Sequence, residues 1–257
     1  MPQAAGLHYR CANVEAAGLP LVLIHGAGGN LWHWPPEIRR LPGRPVYALD
    51  LPGHGDSPLP GCDHIAGYAA AVTAWLEALA LPAVCLAGHS MGGAIALQVA
   101  LTTPKRVGAL GLVGTGARLR VSPKILEGAA SPETFPQTVT TIIQWAFHPQ
   151  SAVSLKALAQ ERMMQVPAAV LHDDFAACDV FDIRPLLGRL PMPALVVCGA
   201  EDQMTPPKYS QFLAETLPDA HLHLIPQAGH MVMLEQPQAV ANALQGFLDE
   251  IDAMTGG

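Results

Sequence analysis

Five consecutive residues constrain this chain more than any others: Gly88-His89-Ser90-Met91-Gly92. They end an apolar run at residues 83–88 (AVCLAG) and open a helix-forming stretch at residues 91–103 (MGGAIALQVALTT) that stops before Pro104. The run lacks polar alternation, so it reads as a strand buried on both faces. A strand that passes into a helix across one residue must turn sharply. The residue at the turn is forced into a strained backbone conformation, and its side chain projects from the tip. Side chains two positions to either side would collide with neighbours, which explains the two glycines. The helix start also points unpaired N–H groups and its positive dipole end toward the serine.

The rest of the chain repeats this alternation. Runs at residues 20–25 (PLVLIH), 45–51 (PVYALDL), 107–114 (VGALGLVG) and 194–199 (ALVVCG) read as further strands. Residues 221–226 (HLHLIP) alternate as an edge strand would. Helical stretches occupy residues 65–81, 206–217 and 237–251. Strands alternating with helices predict a parallel α/β sheet. The 257 residues suffice for one large domain, and 50% hydrophobic against 14% charged residues excludes a disordered chain. Residues 118–182 break the rhythm. No strand is evident there, and helical stretches at residues 133–147, 152–165 and 168–177 are punctuated by Pro132, Pro136, Pro149 and Pro167. The segment reads as a helical insertion between two strands.

Charge and composition exclude several function classes. A net charge of −7 and no block of Lys and Arg argue against nucleic acid as a partner. The five cysteines (Cys11, Cys62, Cys85, Cys178, Cys198) are odd in number and widely spaced. They predict a reducing compartment, with Cys85 and Cys198 as small core residues. The first residues, MPQAAGLHYRC, have no basic stretch followed by an apolar core, so no signal peptide is expected. No apolar stretch approaches the roughly 20 residues of a membrane span. A cytoplasmic location is the resulting expectation.

Serine is a weak nucleophile and needs a base. Of the eleven histidines, His230 lies just beyond the last strand, where a loop can reach over the sheet to Ser90. His221 and His223 lie within that strand, and His33 and His148 in less regular surroundings. The base in turn needs a carboxylate to hold its tautomer. Asp202 and Glu201 both follow the strand at residues 194–199, and adjacent residues point in different directions, so one of them faces the histidine. A developing oxyanion needs two N–H donors. Met91 offers one, directly after the serine. The glycine-rich stretch His25-Gly26-Ala27-Gly28-Gly29 offers the other through Ala27, with Gly26 allowing close approach of the backbone. That stretch lacks the spacing of a dinucleotide site and the Gly-Lys pair of a P-loop. No metal-ligand spacing occurs, so neither metal nor cofactor is expected.

Taken together, residues 25–28, the segment DLPGHGDS at residues 50–57, residues 88–92, Gly199-Ala200-Glu201-Asp202 and Gly229-His230 resemble the α/β-hydrolase superfamily. The resemblance implies an eight-stranded, mostly parallel sheet with a helical cap inserted after strand six. The core would be residues 1–117 and 183–257, and the cap residues 118–182. It implies a catalytic triad of Ser90, Asp202 and His230. Trp145, Phe147, Met163 and Val166 would roof the pocket, with Trp145, Phe147 and Met231 as substrate contacts.

Subfamily marks narrow the chemistry. Dehalogenases and epoxide hydrolases of this fold carry aspartate where Ser90 stands. C–C bond hydrolases show asparagine and tryptophan where this chain has His89 and Met231. The elbow is similar to that of monoglyceride lipases and small esterases. The cap resembles that of carboxylesterases that demethylate a pimeloyl carrier-protein ester, although residues 118–182 hold five basic and seven acidic residues. The expected function is hydrolysis of small to medium carboxylic esters through an acyl-enzyme. C–C hydrolysis or cofactor-free perhydrolysis on the same triad is the alternative enzyme chemistry. A slow-turnover ligand receptor is the alternative from another class.

Overall fold

The computed structural model describes residues 2–255. Strands β1 (Gln3–Ala4) and β2 (Leu7–Ala12) form an antiparallel hairpin at one sheet edge. Strand β3 (Leu21–Ile24), a one-turn helix α1 (Pro36–Arg39) and β4 (Val46–Leu49) follow. Next come α2 (Ile65–Ala78), β5 (Val84–His89), α3 (Met91–Thr102) and β6 (Val107–Val113). Four helices then intervene: α4 (Pro123–Ala129), α5 (Phe135–Ala146), α6 (Val153–Met164) and α7 (Ala168–Asp179). The chain closes with β7 (Ala194–Gly199), α8 (Pro207–Thr216), β8 (Ala220–Ile225), α9 (Val232–Glu235) and α10 (Pro237–Thr255).

The eight strands are ordered β1-β2-β4-β3-β5-β6-β7-β8, and all pairings from β4 to β8 are parallel. Alternate residues of the central strands bury to opposite faces. Leu21, Leu23, Cys85, Ala87, Leu195 and Val197 join one core cluster with α10. Val22, Ile24, Val84, Leu86, Ala194 and Val196 join the other with α2 and α3. Burial on both faces is why these runs carry no polar alternation.

The chain leaves β3 toward β4 on one side and returns to β5 on the other. The carboxyl ends of β3 and β5 therefore flank a topological switch point, where open α/β sheets form a ligand crevice. The loop after β3 and Ser90 after β5 meet there. Helices α4 to α7 are inserted between β6 and β7, and an antiparallel bridge between Arg118 and Asp182 joins the ends of that segment. Ile142, Phe147 and Met163 of the insertion pack in the same cluster as Leu23 and Val113 of the sheet.

All six strands read from apolar runs are present. The hairpin of β1 and β2 is not evident from such runs, because these strands are short and partly exposed. Helix α4 is also additional to the sequence expectation. Among the described residues, no helix is long and apolar enough to cross a membrane.

Candidate active site

Ser90 sits between β5 and α3 with φ 53° and ψ −117°, a conformation that disfavours side-chain-bearing residues. Its surroundings over-determine that geometry. The Ser90 N–H donates to the Val113 carbonyl at 2.9 Å, and the Ser90 carbonyl accepts from Thr115 Oγ1 at 2.7 Å and from the Gly93 N–H at 2.9 Å. A Cβ at Gly88 would run into the Gly92 carbonyl, and one at Gly92 into the Ile24 carbonyl. The two glycines thus let α3 lie directly over β5 and β3.

His230 lies between β8 and α9, and its Nδ1 is 2.9 Å from Asp202 Oδ2. Both residues are 3% exposed. Asp202 Oδ1 accepts the N–H groups of Met204 and Thr205, each at 2.9 Å, and Thr205 Oγ1 lies 2.8 Å from Oδ2. A carboxylate can only accept, so Nδ1 carries a proton, and in the neutral imidazole Nε2 is then the acceptor. Glu201, the competing carboxylate, instead accepts the Ala228 N–H at 3.2 Å. Ser90 and His230 line one small chamber. The Ser90 hydroxyl makes no hydrogen bond among the described residues, and in resting sites such bonds often tighten only around substrate.

Two further groups steady the His230 loop. His89 Nε2 donates to the His230 carbonyl at 2.9 Å, with the two rings 4.6 Å apart. Glu235 accepts the Gly229 N–H at 2.9 Å, the His148 N–H at 2.7 Å and Ser151 Oγ at 2.5 Å. This carboxylate ties the loop to the insertion.

The loop after β3 presents the N–H of Ala27. Neither that group nor the N–H of Met91 has an acceptor among the described residues. Gly26 packs beneath, where a Cβ would come within 3.1 Å of Ser90 Cβ. Gly28, directly after Ala27, has φ 62° and donates its N–H to Asp174 Oδ2 at 2.8 Å. Asp174, on α7, is fully buried. It also faces His54 Nε2 at 2.8 Å and accepts from the Tyr68 hydroxyl at 2.5 Å. His54 Nδ1 meets the Pro52 carbonyl at 3.0 Å, so both ring nitrogens face acceptors and both carry protons. Burial opposes that charge, but the charge and hydrogen bond of Asp174, with the Pro52 carbonyl and Asp50, together outweigh it and raise the His54 pKa. A charged pair from the insertion and the core therefore underpins the loop that offers Ala27.

Neighbouring histidines have the opposite character. His25 accepts the Leu51 N–H at Nε2 and donates from Nδ1 to the Gly26 carbonyl, which makes it neutral. Burial, followed by the charge of His54, pushes its pKa well down. Burial does the same to His89. His33 is pushed down to about 4 by burial and then by Arg162. In an unfolded chain each titrates near ~6.5. Unfolding therefore takes up protons below that pH, and stability is lost as pH falls from about 6.5 through the lowered values. His54 acts with the other sign, since its contribution is complete at low pH and is lost as pH rises through its raised value. Three groups against one predict a lower melting temperature at pH 5 than at pH 7.5. An equal or higher value at pH 5, measured by circular dichroism, would contradict this assignment of charge.

Two chambers meet at Ser90. The larger, about 200 Å³, is lined by Ala27, Arg120, Trp145, Phe175 and Met204. The smaller, about 30 Å³, is lined by His33, Phe147, Met163, His230 and Met231. Trp145 thus faces the first chamber, and Phe147 and Met231 the second. Val166 lines neither and packs in the core. His33, which sequence reasoning sets aside, is buried on a short turn at Leu31–His33 and faces the smaller chamber. Thr205, Asp174, His54 and Glu235 are likewise absent from the sequence reading. Only the DLPGHGDS segment around His54 carries a local signal for any of them.

Comparison with known proteins bears on the family and the fold. The model described as the alpha/beta hydrolase family matches residues 21–243. A dihydrolipoyllysine-residue acetyltransferase component of the acetoin cleaving system of Pseudomonas putida is 34% identical over 245 residues. That match covers 90% of this chain but 64% of the relative, so the chain spans less than two thirds of that protein's length. A pimeloyl-[acyl-carrier protein] methyl ester esterase from Neisseria meningitidis is 31% identical over 246 residues, covering 88% of this chain and 92% of the esterase. A solved thermophilic esterase from Thermogutta terrifontis superposes with a TM-score of 0.86 at 25% identity, over 96% of this chain and 94% of that one.

Proposed function

The chain belongs to the alpha/beta hydrolase family, and from that premise we propose that it hydrolyses small to medium carboxylic esters through an acyl-enzyme on Ser90. The observation that carries this reading is the pairing of His230 with Asp202 at 2.9 Å beside the chamber shared with Ser90. His230 Nε2 takes the Ser90 proton as Oγ attacks the ester carbonyl. The N–H groups of Ala27 and Met91 receive the oxyanion, each donor lowering the barrier by about 3 kcal/mol. Collapse of the tetrahedral intermediate breaks the ester C–O bond, and His230 returns the proton to the departing alcohol. Water then attacks the acyl-enzyme with the same base, releasing the acid and free Ser90.

Residues 118–182 act as a cap on the core of residues 1–117 and 183–257. Asp174 is the cap's hold on the loop that presents Ala27. The departing oxygen must lie near His230, which lines only the smaller chamber. The alcohol therefore occupies the smaller chamber, and the acyl chain the larger. At about 10–15 Å³ per water-sized group, the smaller chamber takes about two to three such groups, the size of a methyl or ethyl alcohol. The esterase relative's name specifies a methyl ester, which supports this orientation. Five free cysteines support a reducing, cytoplasmic setting.

A fluorophosphonate tests the reading. It is expected to label one residue, Ser90, in step with loss of methyl butyrate hydrolysis. Stoichiometric labelling elsewhere, or labelling of Ser90 without loss of activity, would overturn it.

A further inference from the structure

Arg118, Arg120, Arg184 and Lys208 share a cavity of about 350 Å³ with Tyr209 and Phe212. The four cations come from the segment after β6, the turn before β7 and helix α8. One carboxylate lies among them. Asp182 accepts two hydrogen bonds from Arg184, at 2.9 and 2.6 Å, and lies 3.6 Å from Arg118 Nε. Those Arg184 hydrogen bonds push its pKa down to about 2, so it stays ionised. Arg120 and Lys208 pair with no carboxylate among the described residues. A concentration of positive charge thus stands on a chain whose net charge is −7.

This cavity adjoins the catalytic one. Arg120 lines both it and the larger chamber at Ser90. An acyl chain bonded to Ser90 Oγ and running along the larger chamber reaches Arg120, which also borders the cationic cavity. Tyr209 and Phe212 offer apolar wall to its methylenes. Guanidinium groups bind carboxylate or phosphate with two parallel hydrogen bonds, and Lys208 adds a point charge.

We propose that this pocket is an acyl-end anion site, and that the substrate is a small-alcohol ester whose long acyl chain ends in a carboxylate or phosphate held by Arg120 and Lys208. The assignment rests on the esterase reading above and adds to it the chemistry at the far end of the acyl group.

The test compares monomethyl esters of straight-chain dicarboxylic acids, from four to ten carbons, with the neutral dimethyl esters of the same acids. A third series carries a terminal phosphate in place of the free carboxylate. At one chain length the anionic ester is expected to exceed the neutral one in kcat/KM by about ten- to a hundredfold, the worth of a charge-assisted hydrogen bond. The better of the two anionic series identifies the anion. Lys208→Glu and Arg120→Ala should each collapse the anionic-to-neutral ratio toward one. A wild-type ratio near one at every length, with the neutral esters still cleaved, overturns the anion site and leaves the esterase reading standing. Calorimetry on the Ser90→Ala protein reads binding of the half-esters without turnover. Loss of that binding on adding Lys208→Glu supports the site, and equal binding of half-ester and diester overturns it.

Discussion

Ser90→Ala should lower kcat for a methyl ester such as methyl butyrate by about 10⁶-fold while leaving the fold intact. The magnitude follows serine proteases, where removing the nucleophile costs about as much as removing the whole triad. The fold should survive because the substitution deletes only an oxygen that makes no hydrogen bond among the described residues. The strained turn is held by backbone partners, Val113 and Gly93, and by the Thr115 hydroxyl on the Ser90 carbonyl, all of which alanine keeps. Thermal melting should therefore shift little, within about 0.5 kcal/mol in stability. Unchanged hydrolysis in a folded variant would sink the mechanism. A stoichiometric burst in the wild-type protein without steady turnover would point instead to a slow ligand receptor.

Asp202→Asn should cost about 10⁴ in kcat, as the equivalent change does in serine proteases. The surrounding hydrogen bonds explain how. Oδ1 accepts the N–H groups of both Met204 and Thr205. An asparagine oxygen is therefore retained at that position, which turns the NH₂ group toward His230 Nδ1. Two donors cannot share a hydrogen bond, so the imidazole moves its proton to Nε2 and loses the lone pair that must accept the Ser90 proton. Thr205 still has an acceptor in the Gly114 carbonyl, 2.8 Å away, so the loop should hold. Glu201→Gln should keep full activity, because Glu201 faces the Ala228 N–H. Steady-state kinetics on the two variants decides the matter: loss in Glu201→Gln with full activity in Asp202→Asn would transfer the role.

These two expectations differ in how far they were readable beforehand. The Ser90 elbow is a local feature. Whether a strand can pass into a helix across one residue depends on backbone sterics over five positions, and Gly88 and Gly92 record the answer in the sequence. The apolar runs are equally local, since a strand buried on both faces needs no polar residue along its length. The place of His230 follows from its position beyond the last such run. Asp202 stands differently, because nothing in Gly199-Ala200-Glu201-Asp202 says which carboxylate turns inward. That choice is made by the Met204 and Thr205 N–H groups and the imidazole converging on one side chain.

The same division holds across the molecule. By itself the sequence determined the alternation of strands and helices, the helical insertion between two strands, and the strained serine between a strand and a helix. Each of these depends on periodicity or sterics within a few consecutive residues. Only the tertiary structure decided that Asp174 grips Gly28 and His54, 146 and 120 residues away, and that His33 faces the smaller chamber. It also gathered Arg118 and Arg120 with Arg184 and Lys208, which a charge count over residues 118–182 does not reveal. The physical reason is that a buried polar or charged group must find partners wherever packing supplies them. Those partners come from segments distant in the chain, and no local pattern of residues encodes the meeting.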